Sequence, residues 1–317
     1  MSKSVGNTVA PQEVIEKYGA DVLRLWVSSA DYQGDIRLSP KILKQLSDVY
    51  RKIRNTFRYL LGNLADFDPA KDTIAYQDMT DLDKWALLRL EQVFEEVTDA
   101  YENYQFHVMY HAIHNFCTVD LSAMYLDVIK DRLYTEKTDA PIRRSAQTAM
   151  YIILDTLVKI VAPVLSFTAE EAWTIIGNSE SVFLETYSEL PAPDAALMAK
   201  WTRLLEIRAA ANKEIETLRE QGQVGSSLQA NLRIIAPAAD LALLKSLGDD
   251  LKFVFITSKV ELAPGDALQI AVSPATAQKC ERCWHYRDDV GSDPAHPALC
   301  GRCSSNLYGA GETREFA

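Results

Sequence analysis

Residues 39–64 read "SPKILKQLSDVYRKIRNTFRYLLGNL", and this stretch indicates the type of fold. Its apolar residues recur every three or four positions, the spacing that places side chains on one side of an α-helix. Ser39 followed by Pro40 is a typical beginning of a helix. The stretch therefore predicts a long amphipathic helix with an apolar stripe made of Ile42, Leu46, Val49, Ile53, Phe57, Leu60 and Leu64.

The same periodicity continues towards the C-terminus. It predicts helices at about 81–104, 106–134 and 141–162, and Pro163 ends the last of them. The stretch "SFTAEEAW" then begins a further helix, with Thr168 and Glu171 at the spacing of a capping box. Residues 40–178 are thus predicted to form a helical bundle.

The pattern changes after the proline-containing connection "ELPAPDAA" at 189–196. One more helix is expected through about Gln221. It is followed by three short runs that are rich in β-branched residues or alternate in polarity, and that are bounded by glycine or proline, as strands are. These runs are "LQANLRIIAP", "KFVFITSKVEL" and "ALQIAVSP". They predict a small α/β module after the helical bundle.

The composition excludes some classes of protein. A length of 317 residues with 48% hydrophobic content predicts two or three domains. The first residues, "MSKSVGNTVAPQEV", have no apolar segment of the kind found in signal peptides, and the longest apolar stretch is interrupted by Asp155, Lys159 and Pro163. We therefore expect a soluble, cytoplasmic protein without a membrane span.

Four of the five cysteines form two Cys-x-x-Cys pairs near the C-terminus, separated by sixteen residues. Each pair can direct two thiolates at one point, and the polar segment between the pairs is typical of turns that bring the pairs together. The pattern predicts one structural zinc ion held by Cys280, Cys283, Cys300 and Cys303. Two disulfides, or four unbound thiols, are the alternatives.

Two further residues accompany the first cysteine pair. Arg282 lies between its two cysteines and Trp284 follows it directly, with Tyr286 and Arg287 close behind. A guanidinium and an indole fixed on a metal-bound turn are suited to stacking on unpaired nucleic-acid bases. The competing interpretation is that Trp284 packs beneath the metal-bound loop as a small core.

A second candidate nucleic-acid surface lies on the first predicted helix. The formal charge of −11 argues against non-specific coating of nucleic acid, so any binding would have to rely on a local basic strip. Such a strip occurs opposite the apolar stripe, with only Asp48 interrupting it, and consists of Lys41, Lys44, Arg51, Arg54 and Arg58. It could follow a phosphate backbone. A plain solvated helix face explains the same pattern.

Two remaining patterns carry less information. His107, His111 and His114 share one helix face, but no carboxylate at a suitable position completes a metal site, so we expect histidines that hydrogen-bond within a helical bundle. The first residues, "MSKSVGN", suggest a mobile loop in which Lys3 is a point charge suited to a phosphate.

The two ends and the middle of the chain together resemble a known family. "MSKSVGN" is similar to the KMSKS signature loop of class I aminoacyl-tRNA synthetases, and "YGADVLRLWVSSADYQGDIRLSPKIL" resembles the stretch that follows this loop in the isoleucyl-tRNA synthetases. "FHVMYHAIHNFC", "IVAPVLSFTAEEAW" and the terminal "CERCW" and "LCGRC" resemble the anticodon-binding helices and the C-terminal zinc module of the bacterial isoleucyl enzymes.

The resemblance implies roles for individual residues. The signature loop corresponds to Met1, Ser2, Lys3 and Ser4, and it implies that Lys3 contacts ATP phosphates during amino-acid activation. It also implies zinc ligation by the four terminal cysteines, and tRNA contacts by Arg282 and Trp284. The first lysine of the signature would precede Met1, and the chain contains no HIGH-type motif, Rossmann nucleotide fold or editing domain. We therefore expect it to be the C-terminal portion of a synthetase, inactive by itself.

These observations predict a mainly α protein with four segments. They are the tail of the class I catalytic region (1–39), a helical anticodon-binding domain (40–190), a small α/β module (197–275) and a four-cysteine zinc-binding module (276–317). The predicted function is binding of tRNA(Ile) within an enzyme that uses ATP to attach isoleucine. A non-enzymatic RNA-binding zinc protein derived from a synthetase, and a relative of the valyl-tRNA synthetases, remain as alternatives.

Overall fold

The computed structural model describes residues 3–5 and 8–317, and of Lys3 only the backbone. Helices dominate the described chain. In order, the α-helices are α1 Pro11–Tyr18, α2 Ala20–Ser29, α3 Pro40–Asn63, α4 Pro69–Asp72, α5 Asp81–Glu102, α6 Phe106–Asn115, α7 Leu126–Thr135, α8 Pro141–Val161, α9 Ser166–Ile176, α10 Ala195–Glu220, α11 Ala238–Lys245, α12 Leu251–Phe255 and α13 Gly301–Tyr308. A π-helical segment, Phe116–Tyr125, joins α6 to α7, where the sequence predicted one continuous helix.

The strands are few and lie in the last third of the chain. They are β1 Ala230–Ala236, β2 Lys259–Pro264, β3 Gln269–Pro274, β4 Gln278–Lys279 and β5 Tyr286–Arg287. Short 3-10 turns occur at Lys3–Val5, Tyr76–Asp78, Val182–Leu184, Ser227–Gln229 and Gly248–Asp250. The mainly α fold class is confirmed. No helix of the described residues combines the length and the apolar character that crossing a bilayer requires.

Helix α3 begins where the sequence predicted. The Ser39 hydroxyl accepts a hydrogen bond from the backbone N–H of Ile42 at 3.2 Å, and Pro40 occupies the first helical position. This arrangement satisfies one of the N–H groups that the first turn of a helix leaves unpaired. The predicted apolar side of the helix is confirmed in outline, since its buried residues are Leu43, Leu46, Ile53, Thr56, Phe57 and Leu60.

The predicted capping box at the beginning of α9 is wrong. Thr168 lies inside the helix, which begins at Ser166, and Glu171 turns outward to bind Arg54. A carboxylate from another helix performs the capping instead. Asp21 accepts hydrogen bonds from the backbone N–H groups of Phe167 (3.3 Å) and Thr168 (2.7 Å), and from the Thr168 hydroxyl (2.6 Å). The spacing of Thr168 and Glu171 could not indicate this cap, because Asp21 lies 146 positions before Phe167 and 147 before Thr168.

The chain forms two compact units, each built from separated stretches. The first comprises Met1–Pro69, Ala86–Met124 and Gln147–Ala192, and the second comprises Ala70–Trp85, Tyr125–Ala146 and Pro193–Ala317. In the first unit, α2 packs against α1, α3, α6 and α9. The Arg24 guanidinium fastens α2 further by donating to the carbonyls of Pro163 (2.7 Å) and Val164 (2.8 Å). The division into four contiguous segments stays a prediction.

The second unit contains the α/β part of the chain. Its three-stranded sheet has the order β2-β1-β3, with β1 parallel to β2 and antiparallel to β3. Helix α10 packs against β3, α11 and α12, and α12 also contacts α7. The two-residue strands β4 and β5 pair with each other as a separate antiparallel ribbon. The predicted strands at 228–237 and 267–274 are confirmed as β1 and β3.

The middle predicted strand, at 252–262, is only half right. Its first residues belong to the short helix α12, all five residues of which are buried, and β2 begins at Lys259. A short apolar run that is buried on all sides has no periodicity that distinguishes helix from strand. Ile256 ends the helix with a left-handed conformation at φ 54°, which a β-branched residue rarely adopts.

A fully buried ion pair fixes α7 within the second unit. Arg132 on α7 binds Asp83, and both side chains are inaccessible to solvent. The Asp83 carboxylate also accepts hydrogen bonds from Tyr125 (2.7 Å), Thr80 (2.9 Å) and Ser145. A buried carboxylate satisfied in this way is costly to disturb, because removing one partner leaves an uncompensated charge. The orientation of α7 is therefore strongly determined.

Candidate metal centre and neighbouring surfaces

The structure brings the four predicted cysteine ligands together. The Sγ atoms of Cys280, Cys283, Cys300 and Cys303 all lie within 4.8 Å of one another, and all four residues are buried. The distance between the Sγ atoms of Cys283 and Cys300 is 3.7 Å. Tetrahedral coordination with zinc–sulfur bonds of about 2.3 Å requires sulfur–sulfur distances of about 3.8 Å. The donor set and its geometry fit one zinc ion, and all four cysteines are free thiols without a disulfide.

Backbone hydrogen bonds shape the first pair into a tight turn. The N–H of Trp284 donates to the carbonyl of Cys280, and the N–H of Cys280 donates to the carbonyl of His285, each at 2.9 Å. Trp284 itself adopts a left-handed conformation with φ 65°. We call residues 280–285 the knuckle. Cys280 and Cys283 are both buried, so their thiols lie on the inner side of the turn.

The second pair lies at the beginning of α13. Cys300 precedes the helix, and Cys303 lies in its first turn. The N–H of Cys300 donates to the Cys280 sulfur at 3.3 Å. Hydrogen bonds from the thiols of Cys283 and Cys303 lower the pKa of Cys300 to about 3. Hydrogen bonds to Cys283 and Cys300, together with burial, raise the pKa of Cys303 in the same cluster. A thiolate is the form that binds a metal, so ligation by all four cysteines requires the ion itself to stabilise their negative charge.

The apolar core of the cysteine-rich segment is small. Besides the four cysteines, the partly buried hydrophobic residues that pack into this cluster are Val290 and Leu299. So little apolar surface cannot offset the conformational entropy lost when about 25 residues are ordered. Metal coordination is a sufficient source of the missing stability.

Arg282 and Trp284 were predicted as nucleic-acid contacts, and the structure places them in different surroundings. The Arg282 guanidinium donates to the carbonyls of Thr135 and Tyr134 at the end of α7. In contrast, the Trp284 side chain is 59% exposed, and the Lys279 ammonium lies 5.2 Å from the centre of its ring. Trp284 therefore does not form a small core beneath the loop. The contact of Arg282 and of Trp284 with RNA stays a prediction.

The predicted basic strip on α3 is only partly unpaired. Lys44 and Arg58 are exposed. Arg51 binds Asp48 one turn earlier on the same helix. Arg54 forms a two-pronged ion pair with Glu171 on α9, at 2.6 and 2.8 Å. The residues do share a surface, and whether that surface contacts RNA stays a prediction.

The three histidines of α6 do not form a metal site within the described part of the chain. His107 and His114 are half-buried and His111 is exposed. His114 stacks on Tyr110 with ring centres 6.2 Å apart, and burial, together with Lys52 and His111, lowers its pKa. For the signature loop, Met1, Ser2 and the Lys3 side chain lie outside the described residues, so the phosphate contact stays a prediction.

Sequence reasoning missed a cluster of buried charges beside the metal centre. Asp131 on α7 binds Arg302 of α13 and Arg314, and His285 of the knuckle approaches it at 3.5 Å. These residues are up to 183 positions apart. A local sequence motif cannot indicate contacts between residues so far apart in the sequence.

Three family models match the chain. The anticodon-binding domain of tRNA ligase matches residues 83–235. The zinc finger found in FPG and IleRS matches residues 277–306, and the model of class I tRNA synthetases (I, L, M and V) matches residues 1–39. The order of these matches agrees with the order of the motifs in the sequence.

Curated relatives resemble the chain over almost its whole length. Isoleucine–tRNA ligase of Azoarcus sp. (strain BH72) is 49% identical over 324 residues, which cover 100% of this chain and 35% of the relative. The ligases of Syntrophotalea carbinolica and Chromobacterium violaceum are 52% and 51% identical, over 97% and 100% of this chain and again 35% of each relative. The chain thus spans about a third of the length of these proteins.

Proposed function

We propose that the chain forms the tRNA-binding region of an isoleucyl-tRNA synthetase. The reason is that it corresponds over its whole length to the C-terminal portion of bacterial-type enzymes of this kind. The observation that carries this proposal is the exposed Trp284 ring on a turn that closes over four converging cysteines. A large aromatic face held rigidly in solvent is suited to stacking on an unpaired base. The relatives are named for tRNA, whose anticodon loop offers such bases.

The metal has a structural role in this proposal. Cys280, Cys283, Cys300 and Cys303 would hold one zinc ion, and four protein ligands leave no open position for water or substrate. When bound, the ion supplies folding free energy and fixes the knuckle. It supplies no Lewis-acid chemistry. The residues of the chain then present Trp284 and its neighbour Lys279 to the RNA.

The complete enzyme would attach isoleucine to tRNA(Ile) with ATP. In that reaction negative charge accumulates on the departing pyrophosphate, and a lysine ammonium can stabilise it in the transition state. Lys3 is our candidate for this contact. The chain spans about a third of the relatives' length, and we assign the groups that would hold the nucleotide and the amino acid to the remainder. We therefore expect no isoleucine-dependent ATP/pyrophosphate exchange by the isolated chain.

Filter binding with transcripts of tRNA(Ile) and tRNA(Val) tests the proposal. We expect the purified, zinc-containing chain to retain tRNA(Ile) more strongly than tRNA(Val) at the same salt concentration, since affinities for nucleic acid depend on salt. Equal retention of both would point to general RNA binding, and a preference for tRNA(Val) would point to a valyl relative. Absence of binding to either transcript would overturn the proposed function.

A further inference from the structure

The contacts between the knuckle, α13 and the end of α7 lead beyond the presence of a zinc-binding module. Helix α13 is the helix that begins at the second cysteine pair. Both the knuckle and α13 direct buried polar side chains at residues 131–136 of α7 and its C-terminus. Arg314, further along the chain, joins them.

Asp131 is the centre of these contacts. Its carboxylate accepts two parallel hydrogen bonds from the Arg302 guanidinium, at 2.6 and 2.9 Å, and it also binds Arg314. The Nε2 atom of His285 lies 3.5 Å from the same carboxylate. The side chain of Asp131 is 14% exposed, and those of the three partners between 1% and 6%. Charge-assisted, two-pronged contacts of this kind define geometry as well as energy.

A second set of hydrogen bonds ends on the last turn of α7. Arg282 donates to the carbonyls of Thr135 and Tyr134, and Asn306 donates to the Thr135 carbonyl at 3.1 Å. These are carbonyls that the end of a helix leaves without an intrahelical partner. Arg282 therefore has a structural explanation that does not require RNA.

Trp284 lies between two residues that are anchored to α7. Arg282 is two positions before it and His285 directly follows it, and both side chains contact α7. The left-handed backbone at Trp284 separates its ring from these neighbours and leaves it in solvent. Because Arg132, next to Asp131, is locked to Asp83, α7 is a rigid support. The direction of the Trp284 ring therefore depends on the contacts between the knuckle and α7.

We propose that Asp131 is a positioning residue, which orients Trp284 for its contact with RNA without touching RNA itself. This inference rests on the proposed function. Burial opposes the ionisation of Asp131, but Arg314 and Arg302 outweigh burial and hold its pKa well below the ordinary range. The carboxylate is thus charged at neutral pH and able to hold both guanidinium groups.

A double-mutant cycle in the full chain tests this role. Asp131→Asn and Trp284→Ala are made singly and together, and binding to a tRNA(Ile) transcript is measured with zinc content determined on each sample. We expect Trp284→Ala to weaken binding about 5- to 150-fold, the scale of one base–aromatic stack. Asp131→Asn should cause a loss up to that size with one zinc retained, and no more than about a 2-fold further loss in the Trp284→Ala background, because coupled residues are not additive.

A matched control lies one turn earlier on α7. Asp127 forms an ion pair with Lys130 at 2.8 Å and is 40% exposed, so Asp127→Asn removes an acidic charge from the same helix without touching the knuckle. This variant should bind tRNA like the unmodified chain. If Asp131→Asn does not fold, Asn306→Ala replaces it in the cycle, because Asn306 is neutral, 2% exposed and bound to the last turn of α7, one turn after Asp131.

The outcomes separate this inference from the proposed function. If the unmodified chain does not bind tRNA, the proposed function fails and the inference fails with it. If the chain binds tRNA and Trp284→Ala weakens binding, three results overturn the inference alone: unchanged affinity in Asp131→Asn, an equal loss in both backgrounds, or loss of zinc from Asp131→Asn.

Discussion

The basic strip of α3 and the knuckle were predicted for the same role, but the fold treats their arginines differently. On α3, Arg51 and Arg54 form ion pairs with Asp48 and Glu171 at the surface, where the carboxylates are half exposed. In the knuckle, Arg282 donates to backbone carbonyls at a helix end, beside a cluster of buried charges.

The difference concerns what an RNA phosphate could displace. Exposed ion pairs contribute only about 0–1 kcal/mol, so a phosphate can exchange for a carboxylate on α3 at little cost. Removing Arg282 from the end of α7 would break its hydrogen bonds to the Thr135 and Tyr134 carbonyls and leave the Thr135 carbonyl with Asn306 as its side-chain donor, which costs more than exchanging a surface ion pair. The α3 arginines thus remain available to RNA, and in the knuckle the available side chain is Trp284.

The largest effect that separates the two regions should come from removing the metal. Cys283→Ser is expected to abolish zinc binding and tRNA binding together, because a structural zinc site contributes about 10–16 kcal/mol of apparent binding free energy at pH 7. The first compact unit should remain folded, since none of the four cysteine ligands belongs to it. Metal analysis, filter binding and circular dichroism measure the three quantities.

Cys117→Ser is the matched control for this substitution. Cys117 is fully buried among helical residues, and burial raises its pKa to about 12, so it stays a protonated thiol and a poor ligand. The control variant should keep one zinc per chain. Zinc retained by Cys283→Ser would show that the four-cysteine assignment is wrong.

The next largest effect is expected at Trp284. Trp284→Ala should weaken tRNA binding by about 1–3 kcal/mol with zinc unchanged, whereas Trp284→Phe should retain most of the affinity because it keeps an aromatic face. Titrations of the three proteins with tRNA(Ile) measure the difference. If both substitutions bind like the unmodified chain, the knuckle surface is not the RNA contact.

Local sequence patterns predicted those features that depend on neighbouring residues. The helix from Ser39, the strands β1 and β3, and the four cysteines all follow from periodicity, caps and short spacings. The errors lie where distant residues decide. Asp21 caps α9 instead of Thr168, and the run at 252–255 was mistaken for a strand because a segment buried on all sides has no periodicity that distinguishes helix from strand.

The role of Arg282 illustrates the same limit at the candidate site. Its position between two cysteines indicated an exposed guanidinium, but its partners on α7 are 147 and 148 positions earlier. The sequence identifies the type of side chain, and only the folded chain determines whether that side chain already has a partner. Asp131 and Asn306 had no signal of their own for this reason.

A smaller effect should follow from neutralising the α3 strip. Replacing Arg51, Arg54 and Arg58 together with Gln should weaken tRNA binding and make its salt dependence shallower, because the slope falls by about 0.7–0.9 for each phosphate that the protein no longer neutralises. Filter binding between about 50 and 200 mM salt measures the slope. Arg219→Gln, at an exposed ion pair on α10, is the control. An unchanged slope would identify the strip as a solvated helix face.

The smallest effect, and the sharpest test of the comparison, should come from Glu171→Gln. The hydrogen bond from Arg54 lowers the pKa of Glu171, so the pair stabilises the fold above the ordinary glutamate pKa of about 4.3 and loses this contribution as pH falls through the lowered value. Since the pair is exposed, urea unfolding of the variant at pH 7 should show a loss of unfolding free energy below about 1 kcal/mol, and a smaller loss at pH 3.

The substitution also frees Arg54 for phosphate, so tRNA affinity should rise slightly while stability falls. The control is Glu185→Gln, at an exposed residue of the same unit, which should change neither tRNA affinity nor stability. A fall in both stability and tRNA affinity would mean that Arg54 needs Glu171 to hold its position. The Arg54 guanidinium, like that of Arg282 in the knuckle, would then serve the fold and not be free to exchange its partner for a phosphate.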